Sequence, residues 1–106
     1  MTTQFKKGVI EICVLKIISK KDMYGFEIID ELSEKLQINE NTIYPLLRRL
    51  TTQNLFETYQ QETSNGAPRK YYKITEKGKK TLETYLQEWQ TFIHQINQIL
   101  GGNNER

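Results

Sequence analysis

The sequence predicts a mainly α fold with a two-stranded β-wing and one long closing helix. Three observations point to it. Three successive stretches carry apolar residues at helical spacing, two short strand-like stretches flank an Asn65-Gly66 turn, and an apolar stripe repeats over three heptads near the C-terminal end. At 106 residues the chain is of one-domain size and can bury a small core.

The first element is expected over Phe5 to Ser19. Val9, Ile10, Ile12, Cys13, Val14, Leu15, Ile17 and Ile18 make it apolar on nearly every side, so it belongs between other elements rather than on a surface. Lys20, Lys21 and Asp22 end it. In the second helix Gly25, Ile28, Ile29, Leu32 and Leu36 fall at helical spacing. In the third, Ile43, Leu46, Leu47 and Leu50 follow i, i+3, i+4, i+7, with Asn39 as N-cap. Pro45 reads as lying near the start of that helix, where a missing N–H costs little. Leu55 to Gln61 and Arg69 to Ile74 read as strands, with Tyr72 and Ile74 on one face of the second and Arg69, Tyr71 and Lys73 on the other. Thr75 caps the last helix. There Leu82, Trp89 and Ile96 share one heptad position, Tyr85, Phe92 and Ile99 a second, and Leu86, Ile93 and Leu100 a third. Such a helix, roughly 40 Å long, outreaches a small domain of ~30 Å, so part of its stripe calls for cover by a second copy of the chain. The order helix, helix, helix, strand, strand, long helix is the winged helix-turn-helix plan. The expected division is a winged helix-turn-helix over residues 1–74, a dimerisation helix over 75–100 and a disordered tail over 101–106.

Charge is uneven. The net charge is +2, yet residues 1–21 sum to +4, 22–40 to −5 and 41–80 to +5. A basic middle segment suits a localised anionic partner, and a solvated surface with uneven charge is the plainer alternative. One Cys and one His leave no basis for a disulfide framework or a zinc site, and no cofactor is expected. With no Ser–His–acid set and no phosphate-binding Gly loop, an enzyme is not expected. No stretch reaches the length of a membrane span and no signal peptide opens the chain, so the expected location is cytoplasmic with no membrane partner.

The outer face of the third helix presents Asn41, Thr42, Tyr44, Pro45, Arg48 and Arg49. Asn and Arg can read purine edges, Thr and Pro can meet a thymine methyl, and either Arg can clamp a phosphate. An exposed Tyr44 beside Pro45 has little structural reason to be there. Tyr24, opening the second helix, can reach a phosphate or cover the core. In the wing, Arg69 and Lys70 beside a projecting loop suit phosphate or minor-groove contact, the alternative being protection of an edge strand.

These residues carry a resemblance. Tyr24-Gly25, the run Asn41-Thr42-Ile43-Tyr44-Pro45-Leu46-Leu47-Arg48-Arg49-Leu50, and Arg69-Lys70-Tyr71-Tyr72-Lys73-Ile74-Thr75 followed by Gly78 occur in the order and spacing of the PadR family of bacterial transcriptional regulators. The likeness spans about residues 5 to 100 and is similar to the short subfamily with one C-terminal helix, which includes multidrug-responsive repressors. It implies a repressor of transcription, and the two-fold of the expected dimer calls for a pseudo-palindromic duplex DNA operator. The departures are Asn41 and Asn54, where family members often carry Gly; the first bears on base preference, the second on a turn. The resemblance also implies a planar aromatic ligand between two copies of Trp89, in a pore lined by Phe92, Ile93 and Ile96. No carboxylate is evident in that lining, which points away from cationic ligands; plain interface packing is the alternative role for Trp89. The expected dimer contacts are Leu82, Tyr85, Leu86, Trp89, Ile93, Ile96 and Leu100. The competing function is a winged-helix protein–protein module without DNA binding, against which Asn41, Arg48, Arg69 and Lys70 argue.

Overall fold

The structure, a computed structural model, describes residues 3–101, with side chains from residue 8 onward. The elements run α1 (Thr3–Lys20), β1 (Met23–Tyr24), α2 (Gly25–Lys35), α3 (Glu40–Thr52), β2 (Phe56–Gln61), β3 (Arg69–Ile74) and α4 (Glu76–Leu100). The mainly helical winged plan is thus present, with one strand more than the sequence suggests. β1 is two residues long, too short for an alternation pattern to reveal. It pairs antiparallel with β3, Met23 opposite Tyr72 and Tyr24 opposite Tyr71, and the sheet order is β1-β3-β2. The wing register places Tyr59 opposite Tyr71 and Gln61 opposite Arg69.

The core is assembled from one face of every element. Val14, Leu15 and Ile18 of α1, Ile28 of α2, Ile43, Leu47 and Leu50 of α3 and Phe56 of β2 are almost completely buried, and Tyr72, Ile74 and Leu82 close the rim. α1 packs against α2, β3 and α4. Its encirclement is incomplete, however: Val9, Ile12, Cys13 and Ile17 are only half-buried.

Local chemistry sets the element ends. The Asn39 side chain accepts from the Asn41 N–H at 2.8 Å, the expected cap of α3. Pro45 is then the sixth residue of α3, deeper than its expected place in the first turn. Its missing N–H therefore withdraws the helical donor from the Asn41 carbonyl, on the exposed side of the helix. Asn54 takes φ +66° between α3 and β2. A glycine reaches that left-handed conformation freely, and Asn reaches it more readily than most other residues. Thr75 accepts from the Gly78 N–H at 2.9 Å and donates to the Asn54 carbonyl at 2.7 Å, tying the start of α4 to that turn.

The body ends early along α4. Gly78 and Leu82 are buried, Tyr85, Leu86 and Trp89 are half-buried, and Ile99 and Leu100 are 81% and 73% exposed. The long axis consequently reaches 56 Å against 28 and 23 Å for the others. Gly101, expected in a frayed tail, is the left-handed C-cap of α4 at φ +67°. Residues 102–106 of that expected tail lie outside the described residues.

Candidate nucleic-acid interface and an adjoining cavity

α3 lays Ile43, Leu46, Leu47 and Leu50 into the core, and Asn41, Tyr44, Pro45 and Arg48 are exposed on its other side, with Thr42 half-buried between the two. Tyr44 has more structural reason than its sequence context suggests. A Cβ built on Gly25 would meet its Cε1 at 3.0 Å and its Oη at 3.4 Å, so the ring lies over the first residue of α2. Tyr44 nevertheless remains 43% exposed. The Tyr24-Gly25 pair and Tyr44 thus form one surface where α2 begins, joining residues twenty apart in sequence.

The wing residues divide between the two faces of the sheet. Lys70 lies on the face of Tyr72, its Nζ 5.6 Å from that ring centroid. Burial raises the Tyr72 phenol above its ordinary pKa of 10, with the Tyr44 phenol adding to the rise and the Arg48 guanidinium opposing it. Tyr44 and Arg48, one turn apart on α3, are both exposed, and α3 packs against β2 of the wing. Arg69 faces the other way from Lys70, its guanidinium 4.4 Å from the Tyr24 ring centroid. On that outer face Tyr24 meets Tyr71 at 5.5 Å, Tyr71 stacks on Tyr59 at 5.5 Å and 11° between planes, and the Tyr59 hydroxyl donates to Asp22 at 2.7 Å. That bond, first among the causes, pushes the Tyr59 phenol up to about 12. The tyrosine ladder buttresses the wing against the α1–β1 turn. Asp22 was legible only as a helix stop, because a bond across 37 residues leaves no local pattern.

Arg49 lies near the end of α3 and is engaged within the chain. Its Nη2 donates to Glu11 Oε2 of α1 at 2.8 Å. The Glu11 side chain is only 12% exposed, so this pair is better shielded than a surface ion pair.

A cavity of about 490 Å³ opens between α1 and α4, lined by Gly8, Val9, Glu11, Ile12, Tyr85, Glu88, Trp89 and Phe92. Of the expected ligand residues it gathers Trp89 and Phe92 but neither Ile93 nor Ile96, which lie further along α4. Glu11 and Glu88 are among the residues lining this single-chain cavity, whereas the expected pore without a carboxylate lies between two copies of the chain. Glu11 belongs to a helix some 78 positions from Trp89, and only packing brings the two together. Trp89 also borders an apolar groove of about 410 Å³ with Ile12, Cys13, Ile17, Leu36 and Leu86. Burial pushes the Cys13 thiol up, as suits a packing residue rather than a nucleophile. Among the expected dimer contacts, Leu82 is buried in its own chain's core, while Tyr85, Leu86, Trp89, Ile93 and Ile96 are half-buried and Leu100 is exposed.

A helix-turn-helix with a polar, aromatic and basic outer face beside a basic two-stranded wing defines a class, the winged-helix DNA-binding transcriptional regulators. The family model described as Transcriptional regulator PadR-like family matches residues 14–84, and the chain belongs to that family. Its fold is similar to the crystal structure of a PadR-like transcriptional regulator from Bacillus cereus, at 39% identity and TM-score 0.84, covering 95% of this chain and 100% of that one. It is also similar to a PadR family transcription regulator from Clostridium difficile, at 39% identity and TM-score 0.80 over 87% of this chain and 98% of that one. An uncharacterised protein from Lysinibacillus sphaericus is 38% identical over 87 residues, 78% of this chain and 80% of that protein. No described helix is long and apolar enough to cross a membrane.

Proposed function

We propose that this regulator is a homodimeric, cytoplasmic repressor that binds a pseudo-palindromic duplex operator and is released by a planar aromatic ligand at the dimer interface, where the α1–α4 cavity borders Trp89. The observation that carries DNA binding is the exposed side of α3, where Asn41, Tyr44, Pro45 and Arg48 stand clear of a helix otherwise fixed by four buried residues. Lys70 stands on the wing beside Tyr72. In this reading Asn41, Thr42, Tyr44, Pro45 and Arg48 meet the major groove, and Lys70 holds a phosphate. Tyr24 and Arg69, stacked on the outer wing face, hold the flanking backbone. Residues 1–74, completed by the first turns of α4, form the DNA-binding unit, and the rest of α4 to Leu100 forms the dimer contact. Dimerisation is supported by the half-exposed stripe of α4 and by the apolar groove on α1, which a second copy's α4 has the length and polarity to cover. Ligand release is supported by three aromatic side chains meeting in one cavity beside that stripe.

The test is selection of duplexes from genomic fragments, followed by footprinting. Protected half-sites should be related by a two-fold axis and lie about one helical turn apart, ~34 Å. Tyr44→Ala and Arg48→Ala should each weaken binding by about 1–3 kcal/mol, and Lys70→Ala should weaken all sequences alike and reduce the salt slope by about one. Full affinity in both α3 variants would put the DNA on another face. No duplex binding at any salt concentration would favour a protein–protein module.

A further inference from the structure

Glu11 serves two neighbourhoods at once. Its Oε2 accepts from Arg49 of α3 at 2.8 Å, and Glu11 is also one of the residues lining the cavity with Tyr85, Glu88, Trp89 and Phe92. The other ion pairs among the described residues, Lys35–Glu31 and Lys79–Glu76, each lie within a single helix. Glu11–Arg49 is thus the ion pair that ties the recognition helix to another element. With only 12% of its side chain exposed, Glu11 depends on a cationic neighbour rather than on water. Arg49, at 45%, can turn to solvent or to a phosphate at modest cost.

We propose that Glu11 is a shared carboxylate, paired either with Arg49 of α3 or with the positive group of an aromatic cation in the cavity, so that ligand and recognition helix compete for one charge. The inference deepens the ligand-release reading and rests on it. The chemistry of the cavity selects the ligand class. Three aromatic residues, Tyr85, Trp89 and Phe92, suit a flat cation, and two acidic residues in the same lining, Glu11 and Glu88, complement its charge. When the cation takes Glu11, Arg49 loses its partner and α3 its ion-pair tether to α1. The coupling is reciprocal: whatever weakens the Arg49 pairing strengthens the cation. It also meets the requirement that an effector bind two states unequally.

The probes are N-methylquinolinium and its neutral isostere 1-methylnaphthalene, followed by the fluorescence of Trp89, the chain's one tryptophan. The duplex is one recovered by genomic selection. The cation should bind at least about tenfold more tightly than the isostere and lower duplex affinity about tenfold, within the usual range of allosteric coupling. Glu11→Gln should abolish the preference for charge. Arg49→Gln should bind the cation more tightly, while its duplex affinity, whatever its starting value, becomes indifferent to the cation. Arg49→Lys, which keeps the charge, should retain the coupling and guards against a folding defect in Arg49→Gln. If the cation lowers duplex affinity by the same factor in folded Arg49→Gln, the shared-carboxylate route is wrong and ligand release stands. Equal release by the neutral isostere has the same meaning. If neither probe quenches Trp89 or affects duplex binding, both this inference and the ligand-release reading fall.

Discussion

Tyr44 shows how one side chain can hold two duties. Its ring closes over Gly25, with the nearest carbon 3.0 Å from where a Cβ would stand, yet its exposed edge looks outward from α3. Gly25 is therefore a spacer for Tyr44 as well as a helix start. Gly25→Ala should push the ring by a few tenths of an ångström and weaken duplex binding by about 1 kcal/mol, the lower end of the effect of a lost base contact. The melting temperature should stay level or rise slightly, since Ala favours the helix. In a Tyr44→Ala background the same change should no longer affect DNA affinity, and a double-mutant cycle on duplex binding checks this. Additive effects would separate the two residues. The sequence showed both as members of a recognisable motif; their contact was hidden because it spans the turn between α2 and α3.

At the scale of elements, the junction of α4 with the wing is a point of close backbone approach. The Leu55 carbonyl accepts from the Thr75 N–H at 3.0 Å, and a Cβ on Gly78 would stand 2.2 Å from that oxygen and 2.7 Å from Ile74 Cγ1. The backbone leaves no room there. Gly78→Ala should cost about 2–3 kcal/mol, at the upper end of overpacking effects, and lower the melting temperature by roughly 10 °C or more. Gly8, inside α1, has nothing within 4 Å of its Cβ position. Gly8→Ala should stabilise by roughly 0.5–1 kcal/mol, because Ala gives up less backbone freedom in a helix. Thermal melts of the two variants should move in opposite directions; a shift of the same sign would contradict the close approach at Gly78. Cap residues made these boundaries legible from sequence. The two-residue β1 was not, since its existence depends on β3 offering a free edge.

The whole molecule is longer than its core requires. The radius of gyration is 15.9 Å, where a compact chain of this length would have ~13 Å. The excess lies in α4, whose apolar stripe continues past the body. Sedimentation at micromolar concentration should give about twice the 12.6 kDa chain mass. Charges at Leu86 and Ile93 together, as Leu86→Glu with Ile93→Glu, should yield monomer or unfolded chain, because each carboxylate would lose water in the contact. Far-UV circular dichroism separates the two outcomes. A clean monomer of the parent protein would remove the two-fold argument for the operator.

By itself the sequence determined the four helices and the two wing strands, the caps at Asn39 and Thr75, the buried stripes and the outward face of α3. All of these follow from periodicity and from residues acting within a few positions of one another. It also carried the family, because the motifs of α2, α3 and the wing stand at characteristic spacings. Tertiary structure decided which of those residues share a neighbourhood. It set the Arg69 guanidinium over the Tyr24 ring, placed Pro45 a turn deeper than expected and tied Arg49 to Glu11. It brought Glu11 of α1 and Glu88 of α4 to one cavity. The physical reason is the range of the interactions. Helical periodicity and capping are local, whereas an ion pair across 38 residues or a wall shared by α1 and α4 exists only after the core has packed the helices together.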